Sequence, residues 1–253
     1  CIYYYKADYD SAIYCWNKAL ADYDRIGDVD KTVQIQSNIG SVLISQGNYE
    51  KALIYFKDAQ EILENESQDS TTLVKVYNNI GIVFHDLENF EKANNYYSKA
   101  LTIARQNHLV FDEEMLLFNI GNLLVTQNKH QEAIAFYEKS KEIRIDNGMS
   151  IGSSLLVLGN CYFYIGEYKI SEDLLFKAVN LLVGTEDESY LNQAYLYLAK
   201  LYKQIKQLDK ALNFTLKAVN SIHIIENNHT VINAFAEIIE LSFVLEKYEM
   251  AQE

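Results

Sequence analysis

The run Asn-Ile-Gly returns along this chain at Asn38-Ile39-Gly40, Asn79-Ile80-Gly81 and Asn119-Ile120-Gly121. Each copy leads to a second run that closes on alanine, at Ala52, Ala93 and Ala133. Leu158-Gly159 with Ser171, and Leu198-Ala199 with Ala211, continue the series, so the unit recurs about every 40 residues. A unit of that size cannot bury its apolar face alone, and successive copies must stack to build a core. No other feature of the sequence restricts its possible folds as much.

Within each copy, small and large residues alternate at helical spacing. In the first helix Gly40, Gly81, Gly121, Gly159 or Ala199 is followed three residues later by Leu43, Phe84, Leu124, Tyr162 or Tyr202. In the second, Ala52, Ala93, Ala133, Ser171 or Ala211 is followed four later by Phe56, Tyr97, Tyr137, Leu175 or Thr215. This pattern predicts two amphipathic helices packed closely, the bulky residue of one filling the gap left by the small residue of the other. Composition agrees: there are 0 prolines and only 10 glycines in 253 residues, too few for the turns of a β-sandwich or barrel. Polar turns such as 65–70, 146–148, 184–187 and 227–229 supply the helix stops and N-caps instead.

These residues resemble the tetratricopeptide repeat, with its Leu-Gly pair and following aromatic in the first helix, and its alanine and aromatic in the second. The period is longer than the usual 34 and the closing proline is missing, as in the extended repeats of kinesin light chains, Pins-type adaptors and bacterial sensor kinases and regulators. The resemblance implies an all-α fold, a right-handed α-α superhelix of stacked helical hairpins. It extends over residues 1–253 as a single solenoid of about six repeats, with both ends falling in mid-repeat. Uncapped ends of that kind leave room for a homodimer.

No catalytic constellation is present in the sequence. The five histidines, His85, His108, His130, His223 and His229, have no metal-ligand spacing, and there is neither a phosphate-cradling glycine loop nor a nucleophile elbow. Carboxylate pairs such as Glu113-Glu114 fall at helix starts, where they complement the dipole. We therefore expect no enzymatic activity, no cofactor and no metal. Cys1, Cys15 and Cys161 are odd in number and widely spaced, which suits free thiols. A net charge of −13, from 22 basic and 35 acidic residues, repels phosphate backbones and anionic lipid, so neither nucleic acid nor a membrane is an expected partner. The compartment stays open between cytoplasm and periplasm.

In the family it resembles, the first helices line a concave groove that holds a protein or extended peptide segment. Projecting that face from helical spacing gives Gln34, Ser37 and Asn38, then Lys75, Asn78, Asn79 and His85, then Phe118, Asn119 and Asn122. Leu156, Asn160, Phe163 and Tyr164 follow, and Lys200 and Lys203 close it. Asp86 is the single acid among the projected positions, which leaves the face amide-rich at one end, aromatic in the middle and basic at the other. Carboxamides carry both a donor and an acceptor, so Asn38, Asn79 and Asn119 can either clamp a peptide backbone or tie repeats together. Phe118 and Leu156 stand where a terminal-carboxylate clamp would need polar groups, so such a clamp is not expected. The wording of the repeats looks most like the sensing or docking segment of a bacterial histidine kinase or transcription regulator. A scaffold like the kinesin light chain or Pins-type proteins is the alternative, and a regulatory arm of a Rap-like peptide-responsive phosphatase a third reading.

Overall fold

The computed structural model describes residues 8–66, 69–185 and 188–220. These residues form eleven helices: α1 Tyr9–Ile26, α2 Val29–Ser45, α3 Tyr49–Glu66, α4 Ser70–Asp86, α5 Phe90–Gln106, α6 Val110–Thr126, α7 His130–Asp146, α8 Gly152–Tyr164, α9 Tyr168–Leu182, α10 Glu188–Gln204 and α11 Leu208–Asn220. There is no strand among the described residues. Cys1, the turn at 227–229 and the ends in mid-repeat, all singled out in the sequence, lie outside them.

Most helix stops follow one scheme, the end of α9 at residues 183–185 being an exception. The first or, more often, the second residue after a helix adopts positive φ, and the next amide reaches back five residues, as Asn48 does to the Leu43 carbonyl at 2.7 Å and Asn89 to that of Phe84 at 2.8 Å. This double closure of the last carbonyls is the Schellman motif, and it reverses the chain without a proline. Glycine fills the positive-φ position at Gly27, Gly47, Gly148 and Gly166, but Glu88, His108, Asn128 and Lys206 fill it elsewhere. Starts are capped by side chains, Asp28 accepting from the Lys31 amide, Asp69 from Thr71 and Thr72, and Asn89 from Lys92.

The chain divides into two compact units, Cys1–Leu123 and Leu124–Glu253. In the first unit, consecutive helices α1 to α5 pack pairwise, and the first helices α2 and α4 also touch. The predicted seam is present. A methyl group placed on Gly40 would come within 2.6 Å of the Phe56 ring, and one on Gly81 within 2.5 Å of the Tyr97 ring, so only glycine admits these rings. Phe56 and Tyr97 are thereby almost completely buried, each contributing roughly 1.5–3 kcal/mol through removal of apolar surface from water.

The second unit repeats the arrangement from α7 to α11, with α8 touching α10. Gly159 faces Leu175 at the same seam. Ser171 replaces the usual alanine, and its buried hydroxyl donates to the Gly159 carbonyl at 2.7 Å, so the extra polar atom is satisfied. The core gathers Leu156, Leu175, Leu182, Leu198, Leu201 and Phe214. Asn192 ties α10 to α11 by donating to the Ala218 carbonyl at 2.6 Å.

Candidate functional site

In the first unit α2 and α4 touch, and together with the end of α3 they share one surface. That surface holds a pocket of about 530 Å³, lined from α2 by Asp30, Val33, Gln34, Ser37 and Asn38, from α3 by Leu63, and from the start of α4 by Asp69, Thr72 and Lys75. Four of the projected groove positions, Gln34, Ser37, Asn38 and Lys75, therefore converge. The surface is less free of acids than the projection implied, because Asp30 and Asp69 stand at the helix starts, outside the offsets used. Hydrogen bonds from Thr72, above all through its hydroxyl, hold the Asp69 carboxyl below the usual carboxylate range against a smaller opposing effect of burial.

The recurring asparagines do not behave alike. Asn38 is exposed at the pocket rim, and Asn79 is half-buried. Asn119 is half-buried and donates to Asn78 Oδ1 at 2.8 Å, linking the first helices of successive repeats, so its carboxamide already has a structural role. Asn122 and Phe118 are half-buried on the same helix. His85 is also half-buried and meets the Phe90 ring edge-on at 6.2 Å; burial lowers its pKa, and Asp86 partly opposes the shift.

In the second unit the projected residues divide between core and surface. Leu156 is 0% exposed and belongs to the core, so it offers nothing to a groove. Asn160 is buried, with its Oδ1 unpartnered. Phe163, Tyr164 and Lys200 come together: the Lys200 ammonium donates to the Tyr164 hydroxyl at 2.6 Å and lies 4.6 Å over the Tyr164 ring and 5.4 Å over that of Phe163. Lys203 is half-buried one turn further along α10. Tyr164 is 47% exposed, and the His130 ring stacks on it at 4.3 Å and 5°. His130 was absent from the projection. It opens a second helix, 34 residues away in sequence from Tyr164, and no repeating motif points to it. Burial, and then the Lys200 charge, lower its pKa, which favours a neutral ring.

Such a cluster presents an aromatic surface and a cation in a fixed relation, suited to an apolar or acidic group of a partner. Among the described residues no helix is long and apolar enough to cross a membrane.

Comparison with known proteins places these faces in a known architecture. The family model described as tetratricopeptide repeat matches residues 2–65 and 72–146. No curated protein matches the chain by sequence. Among solved structures, BtubC (BKLC) from P. vanneervenii is 19% identical with a TM-score of 0.73, over 84% of this chain and 90% of that one. The apo form of RapI is 14% identical, TM-score 0.73, over 97% and 96%. The STAND protein PH0952 from Pyrococcus horikoshii, described as having a tetratricopeptide repeat sensor, is 22% identical, TM-score 0.72, over 90% of this chain and 36% of that one. At such identities the likeness shows the fold alone: all-α, built as a solenoid of helical hairpins.

Proposed function

From the premise that this chain belongs to the tetratricopeptide repeat family, we propose that it is a non-enzymatic protein-interaction segment that binds an extended peptide or protein segment on its first-helix faces, as the sensing or docking part of a larger signalling protein. The observation that carries this reading is Tyr164. A tyrosine 47% exposed, stacked on the His130 ring and bonded through its hydroxyl to the Lys200 ammonium, is a partly apolar surface held in place and open to water. Rigid aromatics beside a cation anchor partners at low entropic cost, since little side-chain freedom remains to be lost. The pocket beside Asn38 supplies a second contact region in the first unit. The sensor named in PH0952 supports the signalling role.

The test is a titration of a natural partner, found by pull-down, against Tyr164→Ala with Lys200→Gln. That double variant should weaken binding by about 1–3 kcal/mol while the fold survives. Lys139→Ala, exposed on second helix α7, is the control. Retained affinity in the double variant, together with a loss in Lys139→Ala, would put the functional surface on the second helices.

A further inference from the structure

We propose that the pocket lined by α2, α3 and α4 in the first unit receives an arginine or lysine side chain of the bound peptide, with its methylenes over Val33 and Leu63 and its cationic head at Asp30. The proposal rests on the peptide-binding reading and adds the chemistry of one side chain. About 530 Å³ is ample for such a group with some water. Its floor is apolar, Val33 being 1% and Leu63 4% exposed, while its rim is polar. Long cationic side chains match that division, because their stems follow apolar surface while their heads stay at the wet edge.

Charge decides between a cation and an anion. Of the three charged residues in the lining, Asp69 accepts from the Thr71 and Thr72 amides and is acted on by Lys75, so its charge is largely answered within the protein. Asp30 has no ion-pair partner among the described residues. Its neighbour Lys31 instead turns its ammonium to Gln34 Oε1 at 3.1 Å. One carboxylate at the rim is therefore left over. A guanidinium or ammonium brings a positive charge and several donors to the exposed Asp30 carboxylate. An acidic side chain would meet two carboxylates, and a purely apolar one would desolvate Asp30 with no compensating bond.

The experiment records amide spectra of the isotope-labelled full chain during titration with N-acetyl-arginine amide. N-acetyl-citrulline amide serves as the neutral isostere, and N-acetyl-glutamate amide as the anion. The arginine probe should give saturable shifts at Gln34, Ser37, Asn38 and Thr72, and should bind at least about tenfold more tightly than the citrulline probe, as a charge-assisted contact requires. Asp30→Asn should abolish that preference with the rest of the spectrum unchanged. Equal binding of the arginine and citrulline probes, uptake of the glutamate probe at the same residues, no saturable shift, or an Asp30→Asn variant that keeps the preference would each overturn the proposal. Should Asp30→Asn fail to fold, the arginine-to-citrulline ratio in the parent decides alone. If the probes fail here but Tyr164→Ala with Lys200→Gln still loses its partner, only the side-chain assignment falls. A partner indifferent to that double variant would count against the peptide reading instead.

Discussion

Replacing Gly81 by alanine sets two effects of similar size against each other, and their balance tests the seam. In a solvent-exposed helix interior this change stabilises by about 0.8–1 kcal/mol, because alanine loses less backbone entropy. At Gly81 the new methyl would lie 2.5 Å from Tyr97 Cε1, 2.6 Å from Cδ1 and 3.1 Å from Cζ, against a carbon–carbon optimum of roughly 3.5–4.0 Å. The ring must retreat by about 1 Å to regain that optimum. At 1% exposure it has no free space to enter, and overpacking of this kind costs about 1–3 kcal/mol. Gly81→Ala should therefore be neutral to destabilising by about 2 kcal/mol in the parent. In a Tyr97→Ala background, where the facing side chain is gone, the same change should stabilise by up to about 1 kcal/mol. Urea unfolding of the four proteins in this cycle, followed by circular dichroism, measures the coupling directly. Stabilisation by about 1 kcal/mol in both backgrounds would refute the packing argument, since Gly81 would then behave as an ordinary helical position. Gly159→Ala should show coupling of the same sign to Leu175, because the methyl there meets Cγ at 2.8 Å and the backbone nitrogen at 3.4 Å of a residue that is 0% exposed.

Lys206 is exposed and sits at φ 60°, where a side chain is strained, so Lys206→Gly should raise stability by about 1 kcal/mol in chemical denaturation; no gain would mean that the turn relaxes at no cost. Burial pushes the Cys161 thiol up to about 12, and the residue is 0% exposed, so in a Cys1→Ser background a thiol reagent should label Cys15 in the native state and Cys161 only on unfolding. Burial lowers the pKa of His130 and of His85, with Lys200 reinforcing the shift at His130 and Asp86 opposing it at His85. The unfolded chain then binds more protons, so stability is intact above the unfolded value of about 6.5 and falls as pH drops through the folded values. Lys200→Gln should raise the His130 pKa, as read by NMR titration, and an unchanged value would remove Lys200 as a cause.

The seam was legible in the sequence because its two members lie within one repeat, sixteen residues apart at Gly40 and Phe56 and again at Gly81 and Tyr97. The groove was only partly legible, and the residue three before each small residue shows why. Ser37, Asn78, Phe118 and Leu156 share that offset and were all projected onto an open face. In the structure Asn78 is 4% and Leu156 0% exposed, the Ser37 hydroxyl is buried, and Asn78 accepts the bond from Asn119. This offset points between successive first helices, where one repeat meets the next, rather than out to a ligand. A single-helix projection cannot show it, because burial there depends on how far one hairpin is rotated against its neighbour. The same limit hid the His130–Tyr164 stack, a contact from the start of a second helix to the end of the next first helix. By contrast Asn38 and Asn79, two residues before the small position, keep access to solvent. The amide pattern in the sequence thus mixes two settings: Asn78 of the inner row and Asn119 of the outer row are bonded to each other and hold the stack, whereas Asn38 and Asn79 of the outer row keep the solvent access that the proposed binding reading requires.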